Sequence, residues 1–129
     1  MKILIADDTL VVRILIKKFV TLVKPGQEIV FLEAEDGQQA FDLFKKEKPN
    51  LMTLDLLMPV LEGTLVLKQI KAENKDHNCF IVVFSSNFQK PVKERVLKFG
   101  ANLFVEKPAS FEKFVNIFAE YEKYRIALK

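Results

Sequence analysis

Asp7 and Asp8 close one apolar run, Ile3-Leu4-Ile5-Ala6, and Asp55 closes another, Leu51-Met52-Thr53-Leu54. Ser85 ends a third, Phe80-Ile81-Val82-Val83-Phe84, and Lys107-Pro108 ends a fourth, Leu103-Phe104-Val105. Short continuous apolar runs bounded by polar residues read as strands buried on both faces, the pattern of a parallel sheet. Ligands of such sheets bind just beyond the carboxyl ends of the strands. If the runs lie side by side, carboxylates, a hydroxyl and an ammonium converge on one pocket. Three close carboxylates repel one another. A hard divalent cation relieves this, and Mg²⁺ prefers oxygen ligands and retained waters. A carboxylate in line with a phosphoryl group can act as nucleophile and form an acyl phosphate. Cation and lysine would neutralise charge on the equatorial oxygens. Asp55 stands alone on its strand and is the candidate nucleophile; Asp7 and Asp8 form the pair that could hold metal.

The elements between these runs decide whether they can meet. After Asp8, Thr9 is placed to cap a helix whose apolar positions Val11/Val12, Leu15, Phe19 and Leu22/Val23 recur until Pro25-Gly26 stops it. Ile29–Leu32 reads as a second strand, and Asp36-Gly37 as a turn into a helix carrying Ala40, Phe41 and Phe44. Pro49-Asn50 opens the strand that ends at Asp55. Met58-Pro59 and Gly63 make a loop, and Leu65, Val66, Leu67 and Ile70 begin the third helix. Strand four covers Phe80–Phe84, and a fourth helix runs from Pro91 to Phe99 with Gly100 as its stop. After strand five, Leu103–Val105, Ser110 caps a last helix with Phe111, Phe114, Val115, Phe118 and Tyr121 inward. Ile117, Tyr124 and Ile126 fall toward the other side, where they could extend a contact face.

Strands alternating with helices imply an α/β fold: a five-stranded, doubly wound parallel sheet with helices on both faces and right-handed crossovers. Five strands suit the flavodoxin-like order 2-1-3-4-5, which makes the first and third strands neighbours and sets Asp7 and Asp8 beside Asp55. The acid cluster then follows from topology as well as composition.

With 129 residues, half of them hydrophobic and 29% charged, the chain reads as one folded domain over residues 1–129 rather than a disordered segment. No apolar run approaches the roughly 20 residues that span a bilayer. The N-terminus lacks a signal-peptide pattern and the lone Cys79 has no partner, so a cytoplasmic location without membrane attachment is expected. Cys79 reads as a small core hydrophobe, and His77 as a solvated loop residue. The net charge of +3 is spread over several helices, which argues against direct nucleic-acid binding.

The sequence resembles the receiver domain of two-component response regulators, in the layout of the stand-alone chemotaxis type. The resemblance rests on Asp7-Asp8 with Arg13, Glu33-Ala34-Glu35-Asp36-Gly37, Asp55-Leu56-Leu57-Met58-Pro59 with Gly63, Ser85-Ser86, Gly100-Ala101, Phe104 and Lys107-Pro108. It runs from Lys2 to about Tyr121, and so many residues in order at strand ends make a specific signal. It implies that Asp55 receives a phosphoryl group from a phosphohistidine on a sensor histidine kinase or histidine phosphotransfer protein. It implies Mg²⁺ held by Asp8, Asp55 and the backbone carbonyl of Leu57, with Asp7 acting mainly through water. It also implies that Lys107 pairs with the phosphoryl oxygens, that the Lys107-Pro108 bond is cis, and that Ser85 and Phe104 are the switch hydroxyl and switch aromatic. Ser85 stands where the family often has threonine, and Phe104 where many relatives have tyrosine.

The expected function is therefore a phosphorylation-dependent signalling module without an output domain, not an enzyme beyond its own phosphoryl transfer and slow dephosphorylation. It would act on a downstream protein through the fourth helix, fifth strand and last helix. A monomer is expected, with that face available for dimerisation. The rival readings are a Mg²⁺-dependent phosphohydrolase with an aspartyl nucleophile and a phosphate-independent interaction domain. The first would place its nucleophile on the first strand in a DxD arrangement, where this chain has adjacent Asp7-Asp8.

Overall fold

In the computed structural model, which describes residues 1–128, five strands alternate with five helices: β1 (Lys2–Ala6), α1 (Leu10–Val23), β2 (Val30–Ala34), α2 (Gly37–Glu47), β3 (Leu51–Leu54), α3 (Gly63–Glu73), β4 (Phe80–Ser85), α4 (Lys90–Lys98), β5 (Leu103–Glu106) and α5 (Phe111–Ala127). Every strand pairing is parallel, and the order is β2-β1-β3-β4-β5, as the alternation predicts. Side chains alternate between the two sheet faces because the strand period is two. Ile3 and Ile5 face an apolar layer with Ile16 and Val20 of α1 and Phe114, Ile117, Phe118 and Tyr121 of α5. Leu4, Ala6, Met52 and Leu54 face the opposite layer, built with α2, α3 and Val96 of α4. Both faces of the central strands are thus covered, which is why those strands carry no polar alternation.

Local signals set the helix ends. Asp36 accepts from Gln39 N at 2.8 Å, while Gln39 Oε1 accepts from Glu35 N at 2.9 Å, so α2 starts with reciprocal bonds. Ser110 Oγ accepts from Lys113 N at the start of α5. Gly100, with φ of +106°, ends α4: its N–H donates to Leu97 O and that of Ala101 to Val96 O, closing a Schellman motif.

Four local expectations are corrected. Thr9 occupies the cap position of α1, but its hydroxyl makes no bond to the helix and donates to Asp8 Oδ1 instead. Within α1, Arg13, Ile16 and Val20 are the buried residues, while Val11 and Leu22 are exposed. That helix is apolar nearly all round, so periodicity alone leaves its orientation open. Arg13 settles it by donating to Asp7 O at 2.7 Å and to Glu33 Oε1 at 2.9 Å. Strand β2 runs on through Glu33 and Ala34, because these residues pair with Ile5 and Ala6 and the Glu33 charge is met by Arg13 and Lys17. In α5 the buried set is Phe114, Ile117, Phe118 and Tyr121; Phe111 and Val115 face solvent. Ile117 therefore belongs to the core, and Tyr124 packs on Phe80 with its hydroxyl donating to Cys79 O; Ile126 alone of that trio is exposed.

His77 is likewise not a freely solvated residue. Its ring stands edge-on to Phe44 at 5.2 Å, and Nδ1 accepts from Cys79 N at 3.1 Å. Burial holds the imidazole below its ordinary value of 6.5. The folded chain resists protonation here, whereas the unfolded chain takes up a proton near that value. The stabilising contribution is therefore full above pH 6.5 and declines as the pH falls through it toward the folded value. The His77 Cε1 proton is expected to titrate below pH 6.5 in NMR spectra, with thermal stability falling on acidification through the same window. A midpoint at or above 6.5 would contradict this packing.

Candidate functional site

The register of the sheet builds the site. Ala6 pairs with Leu54, so the next residues along β1 and β3, Asp7 and Asp55, leave the sheet side by side. The ladder extends one step past each strand: Asp55 N donates to Ala6 O at 3.0 Å, and Asp7 N to Ala34 O at 3.1 Å. Carboxylate oxygens of Asp7, Asp8 and Asp55 lie within 4.8 Å of one another. Asp7 and Asp55 are buried and Asp8 is exposed, so the cluster opens to solvent on the Asp8 side.

Lys107 enters from the end of β5. Its Nζ lies 2.8 Å from Asp7 Oδ2 and 3.3 Å from Asp55 Oδ2, joining carboxylates of two strands. Lys107 N donates to Ser85 O at 2.9 Å, which fixes where that side chain departs, and the Lys107–Pro108 peptide bond is cis. Burial raises the Asp55 carboxyl above its ordinary value. The charge of Asp7 adds to this, while the Lys107 ammonium and the Leu57 N–H oppose it. For Lys107, burial acts to lower the ammonium, but its hydrogen bond to Asp7 and the charges of both aspartates outweigh it and leave the group raised. The pocket thus favours an ionised lysine beside a carboxyl that is costly to ionise.

The loop after Asp55 is held at several points. Gly63 N donates to Leu56 O at 2.9 Å, Gly37 N to Pro59 O at 3.3 Å and Leu61 N to Pro59 O at 2.7 Å. The last bond closes a three-residue turn around Val60, whose φ of +68° is unusual for a β-branched residue. A Cβ on Gly37 would overlap the Leu61 carbonyl, so only glycine lets α2 approach this loop.

Four of the predicted residues, Asp7, Asp8, Asp55 and Lys107, therefore meet in one pocket. Leu57 lies beside them with an exposed side chain and its N–H 3.4 Å from Asp55 Oδ1. Ser85 is buried at the tip of β4, the strand next to β3, and its Oγ accepts from Asn87 N at 3.2 Å. Phe104 lies away from the carboxylates, buried against Val83 and stacked on Phe88. The sequence reading passed over Phe88; a lone aromatic residue in the polar stretch Ser85-Ser86-Asn87-Phe88-Gln89-Lys90 is the signal that could have found it. The donor set is entirely oxygen and strongly anionic, which fits a hard divalent cation such as Mg²⁺ and suits softer metals poorly.

A doubly wound parallel sheet with an acid cluster and a lysine at the carboxyl ends of its strands defines the class as a flavodoxin-like fold with an acidic strand-end site. The response regulator receiver domain profile matches residues 3–119, and the chain belongs to that family. It is 38% identical to the chemotaxis protein CheY of Bacillus subtilis, over 83% of this chain and 85% of the relative. Identity to CheY of Thermotoga maritima is 34%, with the same coverage of 83% and 85%. Among solved structures, the response regulator domain of Thermotoga maritima CheB is 27% identical, covers 98% of this chain and 95% of its own, and superimposes with a TM-score of 0.77. The CheX-CheY-BeF₃-Mg²⁺ complex from Borrelia burgdorferi shares the fold at a TM-score of 0.80 and 24% identity, over 90% of this chain and 84% of the matched one. The layout is that of chemotaxis-type receivers of two-component signalling. Among the described residues, no helix is long and apolar enough to cross a membrane.

Proposed function

We propose that Asp55 is the phosphoacceptor of a phosphorylation-dependent signalling switch. The observation that carries this is the convergence of Asp7, Asp8, Asp55 and Lys107 at adjoining strand tips. An Asp55 carboxylate oxygen attacks the phosphorus of a phosphohistidine on a sensor histidine kinase or histidine phosphotransfer protein. The new O–P bond forms as the N–P bond breaks, and its electron pair returns to the donor imidazole. Asp8, Asp55 and the Leu57 carbonyl, with Asp7 behind, would hold Mg²⁺, which would supply charge neutralisation at the phosphoryl oxygens. Lys107 brings a fixed positive charge to the same oxygens, and Asp7 orients it. Exposed Leu10, Val11 and Ile14, which follow Asp8 in the chain, offer the donor protein an apolar footing.

Ser85 answers the new phosphoryl group with a hydrogen bond, and the change passes to α4, β5 and α5. Exposed Leu97, Phe111 and Val115 on these helices support that face as the docking surface for a downstream protein. Turning a 1:99 equilibrium into 99:1 takes about 5.5 kcal/mol, whereas one hydrogen bond to a charged group supplies roughly 1.5–3 kcal/mol. Ser85 therefore shares the work with Lys107 and backbone donors. Ser85→Ala is expected to take up phosphate normally yet show a much smaller NMR shift response across α4 and α5; an undiminished response would remove Ser85 from the switch. The function itself is tested by intact mass after incubation with Mg²⁺ and acetyl phosphate. One phosphoryl adduct, released by hydroxylamine as an acyl phosphate must be, is expected, and an absent or hydroxylamine-resistant adduct would refute the reading.

A further inference from the structure

Lys113 stands in the first turn of α5, where the free N–H groups of a helix end disfavour a cation. Its ammonium is engaged elsewhere. Nζ donates to Glu106 O at 2.8 Å and to Pro108 O at 2.8 Å. These two carbonyls bracket Lys107, the residue whose ammonium joins Asp7 and Asp55. The peptide between Glu106 and Lys107 is therefore held at both edges: its N–H donates to Ser85 O at 2.9 Å, and its carbonyl accepts from Lys113. The base of this clamp is firm as well. Lys113 N donates to Ser110 Oγ at 3.2 Å, and the next residue, Phe114, is fully buried against Phe84 and Phe19.

We propose that Lys113 is a positioning residue for Lys107, holding the end of β5 so that the Lys107 ammonium stays directed at the acid cluster and at a phosphoryl group on Asp55. This rests on the reading of Asp55 and Lys107 given above. A planar peptide gripped on its N–H edge alone can still rock about that bond. A second bond on the opposite edge stops the rocking, and with it a spread in the direction of the Lys107 side chain. That side chain magnifies any such spread, because its charge sits at the end of a flexible four-carbon stem. The two carbonyl oxygens drawn toward Lys113 would also repel each other without a cation between them, and bonds with an ionised donor are the strong ones. Removing the ammonium costs α5 little, since the helix end disfavours it. Lys107, by contrast, loses one of the two grips on the peptide that precedes it.

NMR titrations with Mg²⁺ alone and with beryllofluoride plus Mg²⁺ test this in the wild type, Lys113→Met and Lys113→Arg. Beryllofluoride takes the place of the phosphoryl group and meets Lys107, whereas Mg²⁺ alone is a ligand of the carboxylates. Lys113→Met is expected to bind beryllofluoride about fivefold more weakly than wild type, the scale of one net hydrogen bond. Its Mg²⁺ affinity and melting temperature stay at wild-type values, and Lys113→Arg, which keeps the cation, restores beryllofluoride affinity. A merely structural role would weaken both ligands together and lower the melting temperature. That result, an unchanged beryllofluoride affinity, or an arginine variant as weak as Lys113→Met overturns the proposal. Lys113→Gln, neutral and polar, decides the matter should Lys113→Met not fold. Wild-type protein that binds no beryllofluoride would instead sink the Asp55 reading, and this proposal with it.

Discussion

Asp55→Asn is expected to end phosphate uptake while leaving the protein folded and no less stable. The amide matches the carboxylate in size, so the strand tip, its backbone bond to Ala6 and the Lys107–Asp7 pair at 2.8 Å are retained. What is lost is the anionic oxygen that the proposed function makes the nucleophile. The raised Asp55 carboxyl means that the folded chain carries an ionised group it disfavours, chiefly through burial and also through the charge of Asp7. A neutral amide removes that opposition. Loss of the hydroxylamine-sensitive adduct should therefore accompany an equal or higher melting temperature at neutral pH. Adduct formation persisting in the variant would assign the acceptor role to another residue, and a large drop in melting temperature would show that the carboxylate is structural.

Gly63→Ala is expected to cost a large part of the stability of the segment that carries Asp55. A Cβ at Gly63 would overlap the Asp55 carbonyl oxygen and approach Leu56 Cα to 2.8 Å. Both neighbours are backbone, so no side chain can swing away to make room. The same residue donates its N–H to Leu56 O, which ties the start of α3 to the end of β3. Relief requires shifting the helix or displacing the segment that carries Asp55. Overpacking of this kind typically costs about 1–3 kcal/mol, and backbone on both sides places this case at about 3 kcal/mol or more. At this chain length that lowers the melting temperature by roughly 10 °C. Calorimetry should show the drop, together with slower phosphate uptake because Asp55 is moved. A variant within a degree or two of wild type would mean that the β3–α3 junction is looser than its geometry implies.

The sheet was legible because its central strands are apolar on both faces and end in polar residues of unlike chemistry. Ala6-Asp7 and Leu54-Asp55 mark corresponding points of adjoining strands, so chain order alone predicted their meeting. Helix orientation was harder to read. In α1 an apolar surface nearly all round gives periodicity no preference, and the deciding group, Arg13, acts through Glu33 on another element. In α5 the spacing Phe114, Ile117, Phe118, Tyr121 competes with an equally apolar reading through Phe111 and Val115; packing on Phe80 and Phe84 chooses between them. Phe88 was invisible for a different reason. It packs on a ring from β5, and no local pattern announces a contact across that separation.

Lys107 and Asp55 are 52 residues apart in the chain yet share one ammonium contact, and Asp7 joins them from the opposite end of the sequence. No fragment of the chain can assemble this joint; it comes into being only when β1, β3 and β5 are all seated. Like charges gathered there push the strand tips apart, and the lysine acts as the tie that keeps them closed. A cation bound by carboxylates of more than one tip would strengthen that tie, because its binding is lost when the tips separate.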